Sequence, residues 1–191
     1  MKFNLRHLLI LLLIFALSIG FGLGFDAVAT AVDRSNHPRP SAYAASVTAA
    51  ADRFSIPEPI LWASIKCKSD FSSNAVGEHG EVGLLALTVE EFQHIYVEYL
   101  NTTPPESGMR YDPATSIHCG AARLSELYER YGVWSSVYAA LHAGTDAVDA
   151  WLKNPLCVDA HGMLASIPDP STERFVRSME DAVSVYRALY Y

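Results

Sequence analysis

Between Asp112 and Gly132 the chain carries the signature that most restricts its fold. Asp112 is a helix-capping residue, Pro113 suits the first turn, and Ile117, Ala121, Leu124, Tyr128 and Tyr131 recur at steps of four and three until Gly132. Such spacing predicts one long helix with that stripe turned inward, and a stripe of that length requires partner helices to cover it. The rest of the chain repeats the pattern at shorter length. Tyr43, Val47 and Ala50 predict a first helix ending near Phe54, and Ser55 with Glu58 reads as a capping box for a second, carrying Leu61, Ile65 and Lys68 on one face. Thr88 with Glu91 reads as another capping box ahead of Phe92, Ile95, Tyr96 and Tyr99. Two short helices flank Gly144, and a last one from Ser171 turns Phe175, Met179, Ala182, Tyr186 and Leu189 inward. The polar, glycine-bearing segment 69–83 is a loop. No segment alternates in the manner of a strand, so the expected class is all-α, with a cleft where the loops gather.

The N-terminus follows a different rule. Leu8 to Phe25 is a run of 18 residues without a charge, preceded by Lys2, Arg6 and His7. That basic-then-apolar order marks an export signal. As a helix the run spans about 27 Å, close to the roughly 30 Å hydrocarbon layer of a bilayer. Two outcomes stay open: a retained single-pass anchor through residues 8–25, or secretion after cleavage near Ala29, where Ala27-Val28-Ala29 fits the small-x-small rule. In both, residues 26 onward face outward. Residues 26–40, with Pro38 and Pro40, read as a linker, and a single domain is expected over 41–191.

Beyond the apolar run the chain holds 12 bases against 21 acids. A body this acidic is a poor partner for nucleic acid, and any carbohydrate it meets is gripped by shape and hydrogen bonds rather than by charge. The three cysteines, Cys67, Cys119 and Cys157, leave at least one unpaired and show no metal spacing; the seven histidines show none either. Neither metal nor cofactor is expected. Trp62, Trp134 and Trp151 sit at helical positions where core packing is the ordinary role, with Trp151 the best placed to be partly exposed.

Four motifs in order carry a resemblance. Lys68-Ser69-Asp70-Phe71 with Asn74-Ala75, then Gly80-Glu81-Val82-Gly83-Leu84-Leu85-Ala86, then Tyr111-Asp112-Pro113 with Ser116-Ile117 and Gly120, then Ala140-Leu141-His142-Ala143-Gly144 follow the order and spacing of the catalytic domain of soluble lytic transglycosylases, a branch of the lysozyme-like superfamily. Ile167-Pro168 with Thr172, Phe175 and Val176 is similar to that family's closing motif. The resemblance implies a lysozyme-like helical domain that meets peptidoglycan glycan strands, with substrate contacts at Ser69, Leu85, Ala86, Leu141, His142 and Gly144. It also implies that Cys67 and Cys119 occupy facing helices, where a disulfide is conceivable.

At its chemistry the resemblance breaks. Family members carry Glu-Ser-Gly-Phe where this chain has Lys68-Ser69-Asp70-Phe71, and that glutamate protonates the glycosidic oxygen. A lysine starts near pKa 10.4, and only deep burial away from acids lowers it enough for such work. Ala86, Leu141 and His142 replace the family's glutamine, tyrosine and asparagine. A base in the last turn of a helix also suits the helix dipole with no further purpose, and Asp70, Glu78 or Glu81 are the expected partners of Lys68. Three functions follow: a non-catalytic domain holding glycan or docking envelope proteins, a divergent transglycosylase with Glu78 or Glu81 as its acid, and a protein-interaction module with a filled cleft.

Overall fold

The computed structural model describes residue 15 and residues 27–191; the apolar run 8–25 otherwise lies outside the described residues, as do the basic residues before it. No helix among the described residues is long and apolar enough to cross a membrane. Two compact units divide at residues 38 and 39. In the first, the described part of α1 covers residues 27–36, so the segment expected as linker is helical over most of its length.

The second unit is helical in the order α2 (Ser41–Phe54), α3 (Glu58–Ser69), α4 (Val89–His94) running on as a π-helical turn (Ile95–Tyr99), a 3-10 turn (Ser107–Tyr111), α5 (Pro113–Tyr131), α6 (Trp134–Ala143), α7 (Thr145–Leu152) and α8 (Pro170–Tyr190). Among the described residues the only β-pairings are the isolated bridges Val76 with Val82, Val82 with Leu87 and Val158 with Leu164. The all-α expectation holds.

The predicted ends are read correctly where a side chain makes the cap. Asp112 accepts from the Thr115 amide at 2.8 Å and starts α5, and Gly132, in the left-handed conformation at φ 68°, stops it. Thr88 and Glu91 close a reciprocal box, the Glu91 amide donating to Thr88 Oγ1 at 3.0 Å and the Thr88 amide to Glu91 Oε2 at 3.1 Å. The box expected of Ser55 and Glu58 does not form. Ser55 instead ends α2 in the left-handed conformation, and Pro57 takes the N-cap position of α3. Prolines at 57 and 59 preset the entry dihedrals, which removes the need for a side-chain cap. Glu58 is thereby free to accept from Thr48 Oγ1 at 2.6 Å, from Arg39 at 3.2 Å and from the Tyr191 hydroxyl. The Arg39 guanidinium also lies over the rings of Trp62, Tyr190 and Tyr191, 5.0 to 5.3 Å from their centroids. This clasp fastens the last residue of the chain to the first helices of the unit.

The core is built as the periodicity demands, with one correction. Ile117, Ala121 and Leu124 of α5 are fully buried, but Tyr128 is 40% exposed and Leu127 is the buried residue of that turn. Tyr128 stacks on Trp134 at 4.4 Å instead, its ring shared between that neighbour and solvent. Trp62, Ile60, Leu61 and Ile65 of α3 meet Met179 and Tyr186 of α8 in the same core. Each such side chain contributes about 1.5–3 kcal/mol by leaving water. α3 packs along α8, α2 along α5, and α6 against α8, which brings the C-terminal ends of α3 and α6 to the start of α8. There the cleft forms.

Candidate functional site

The cleft encloses about 740 Å³, inside the range of ligand pockets. One wall is the loop that precedes α4 together with α4 itself, giving Glu81, Ala86, Thr88 and Glu91. The opposite wall is the α6–α7 junction, giving Leu141, His142, Gly144 and Trp151, and the start of α8 adds Asp169 and Ser171. Lys68, at the end of α3, lies on the floor.

The first wall is held in place by close approach and buried polar bonds. Gly83 sits at φ 79°, and a Cβ there would fall 2.1 Å from the Arg110 carbonyl oxygen. A Cβ on Gly120 would lie 2.3 Å from Leu85 Cγ. These two glycines let the loop lie flat against α5. Ser116 Oγ accepts from the Leu85 amide at 3.2 Å, and buried Arg110 donates to the carbonyls of Leu87 at 2.8 Å and Gly80 at 3.2 Å. Ala86 is thereby fixed at φ 48°, an unusual conformation for a residue with a side chain.

Lys68 reaches into this floor and does not find the partner expected of it. Asp70 pairs with Lys66 at 2.5 Å, Glu78 is exposed and stands outside the cleft lining, and among the described residues no carboxylate lies within 4.0 Å of the Lys68 ammonium. Lys68 Nζ donates to the Leu141 carbonyl at 2.8 Å and lies 5.5 Å from the centre of the Phe175 ring. Leu141 is in the last turn of α6, where carbonyls have lost their intrahelical partners and the dipole end is negative, so the bond satisfies an orphan acceptor. Burial pushes the Lys68 amine below its ordinary pKa, with the Arg123 charge adding to the shift; Glu91 and Glu81 oppose it. The condition under which a lysine could titrate lower is therefore met in direction.

The flanking acids are held as carboxylates. Burial alone would raise Glu81, but backbone N–H donors, including that of His79 at 2.9 Å, and the charges of His79 and Lys68 leave it below the usual carboxylate range. Asp169 is lowered by Ser171 Oγ at 2.5 Å, Thr172 Oγ1 at 2.6 Å and the Thr172 amide at 2.8 Å. The His142 ring stacks on Phe175 at 4.9 Å, and burial followed by the Lys68 charge lowers its pKa against the pull of Asp169, which favours the neutral imidazole. None of these three is poised to donate a proton at neutral pH.

Of the site residues named from sequence, Lys68, Glu81, Ala86, Leu141, His142 and Gly144 line the cleft. Leu85 lies beneath Ala86 in a small adjoining cavity, and Ser69 bonds back to the Ile65 carbonyl at 3.1 Å without lining the cleft. Sequence reasoning missed Glu91, seen only as half of a capping box, and Asp169 and Ser171, which precede or open α8. The cue was present for Glu91: a cap at the mouth of a loop carrying Gly83-Leu84-Leu85 is positioned by that loop. All three cysteines are free thiols, and burial raises Cys67 to about 11 and Cys119 to about 12. Trp62 is a core residue, whereas Trp151 lines the cleft.

A helical domain with this cleft, these loop motifs and this chain order defines a lysozyme-like module. Residues 45–159 match the Transglycosylase SLT domain family, and the chain belongs to it. The lytic transglycosylase Slt of Pseudomonas aeruginosa, solved as an inactive mutant, superposes with a TM-score of 0.69 at 22% identity, covering 78% of this chain and 25% of that one. The 70 kDa soluble lytic transglycosylase of Escherichia coli gives 0.69 at 24% identity, covering 76% of this chain and 24% of that one. A complex of the 70 kDa soluble lytic transglycosylase with bulgecin A gives 0.70 at 24% identity, covering 78% of this chain and 24% of that one. This chain thus spans about a quarter of the length of those enzymes. No match is found among curated proteins.

Proposed function

We propose that this chain is an exported SLT-domain protein that holds peptidoglycan glycan strands at its cleft without cleaving them, tethered through residues 8–25 or released after cleavage near Ala29. The observation that carries the reading is Lys68. The amine occupies the position at which the resemblance puts the catalytic glutamate, and it is tied to the Leu141 carbonyl. Cleavage needs a group that gives a proton to the glycosidic oxygen and returns as a base beside a developing positive charge. An ammonium lacks the carboxylate's stabilising charge at the second stage. The substitute acids fare no better: Glu78 stands outside the cleft, and Glu81 is held ionised by its hydrogen bonds.

An open cleft of this size favours a ligand-holding role over a module whose cleft is plugged. Trp151 on one wall offers an aromatic face for a sugar ring. The test uses purified peptidoglycan sacculi. Co-sedimentation of the protein, with no anhydromuropeptide released on prolonged incubation, is the expected result. Release of anhydromuropeptides by the unaltered chain overturns the non-catalytic reading, and failure to sediment overturns glycan holding.

A further inference from the structure

Glycan holding leaves the Lys68 amine without a task of its own. Its surroundings are those of a reactive amine rather than of an ion pair. Leu85, Leu87, Leu124 and Leu141 line the small cavity beside it together with Glu91 and Arg123, and Phe175 lies across it. One carbonyl accepts from it at 2.8 Å, no carboxylate among the described residues comes within 4.0 Å, and it opens onto the 740 Å³ cleft. We propose that the Lys68 amine is a covalent capture point for aldehydes, forming a reversible Schiff base with a carbonyl carbon delivered through the cleft.

The step balances without an added oxidant or reductant. The nitrogen lone pair attacks the carbonyl carbon, the carbonyl oxygen takes up a proton as the nitrogen loses one, and the carbinolamine then expels water to leave the imine. Forming the imine breaks the bond to the Leu141 carbonyl. Enclosure weakens the preference of a lysine for its ammonium form, and the fraction present as free amine is the nucleophile. The other described lysines differ in kind: Lys66 pairs with Asp70, and Lys153 is exposed and does not line the cleft. An aldehyde is favoured over a carboxylate ligand because Glu81, Glu91 and Asp169 around the cleft repel an anion but not a neutral carbonyl.

Two sources of aldehyde fit, the open-chain reducing end of an amino sugar and a small free aldehyde; only the first rests on the reading of the cleft as a glycan site. The full chain is incubated at neutral pH with N-acetylglucosamine in one arm and butyraldehyde in the other, each with cyanoborohydride to trap the imine as a secondary amine, and is then mapped by peptide mass spectrometry. The expected result is an adduct on Lys68 in excess of those on Lys66 and Lys153, lost in Lys68→Arg, with an unchanged circular-dichroism spectrum and a cooperative melt showing that the variant is folded. Labelling of Lys68 by butyraldehyde alone supports capture with a small aldehyde as the source; labelling by the sugar supports the glycan end. Adducts confined to Lys66, Lys153 and the N-terminal region, or spread evenly over all lysines, overturn the proposal. Sedimentation with sacculi reports separately on glycan holding, so the two readings fail independently.

Discussion

Replacing Gly120 by alanine tests how the cleft wall is seated on α5. In an ordinary helix interior the change stabilises by about 0.5–1 kcal/mol, because glycine costs more backbone entropy than alanine. Here the added Cβ would stand 2.3 Å from Leu85 Cγ, 2.8 Å from Leu85 Cβ and 3.1 Å from Leu85 Cδ1. Carbon atoms prefer about 3.5–4.0 Å, so the wall must retreat by roughly 1 Å. A rotamer change cannot relieve it, since Leu85 Cβ is itself too close and the Leu85 amide is bonded to Ser116. Overpacking of this sort costs about 1–3 kcal/mol. Set against the helix gain, the net loss is about 1–2 kcal/mol, or a Tm fall of roughly 2–8 °C for a chain of this size. Leu85→Ala alone opens a cavity at a cost of about 2–5 kcal/mol. Combined with Gly120→Ala it costs less than the sum, because the new methyl fills the space that Leu85 vacates. Thermal unfolding of the four proteins followed by circular dichroism measures the cycle. A rise in Tm for Gly120→Ala, or strict additivity in the double variant, refutes the close approach.

Two further outcomes follow from the geometry. Glu58 has its carboxylate held below the usual range by Thr48, Tyr191 and Arg39 against the opposing effect of burial. A lowered folded pKa gives stability that is present above the unfolded value, near 4.3, and is lost as pH falls through the folded one. Glu58→Gln is expected to lower Tm by a few degrees at pH 7 and to flatten the acid side of the stability profile between pH 5 and 3, read by thermal melts; an unchanged acid limb refutes the clasp. With Cys67 raised to about 11 and Cys119 to about 12, native protein is expected to react with Ellman's reagent at pH 8 far more slowly at these thiols than denatured protein does. Fast native reaction at Cys119 refutes its burial.

How far the fold was legible follows from what makes each element. Helices ended by a side chain, such as α5 between Asp112 and Gly132, are local events and were read to the residue. The start of α3 was misassigned because a serine followed by a glutamate has the same letters whether it caps the next helix or, as Ser55 does, ends the previous one in the left-handed conformation. At the site the motifs name Lys68, Ala86, Leu141 and His142, and these line one cleft. They could not give the partner of Lys68, because a backbone carbonyl 73 residues away has no identity in the sequence. Arg110, which bonds two loop carbonyls from a 3-10 turn, was invisible for the same reason.

Lys68→Glu is the substitution that separates scaffold from chemistry. The new carboxylate would face the Leu141 carbonyl oxygen in place of the ammonium, losing its one hydrogen bond, and would share the cleft with Glu81 and Glu91. Burial and neighbouring like charge both raise a carboxyl pKa, the direction a general acid needs. Yet Ala86, Leu141 and His142 remain, so the donors that would orient a glycan and follow its charge are still missing, and such groups account for factors of about 10²–10³ each. The expected result is detectable anhydromuropeptide release that the parent chain lacks, slow on the scale of an intact transglycosylase and favoured on the acid side of neutrality. Turnover at the rate of an intact transglycosylase from this one change would mean that the cleft walls already hold the sugar well. Complete inactivity in a variant that melts cooperatively and still sediments with sacculi would place the missing chemistry in those walls rather than at position 68.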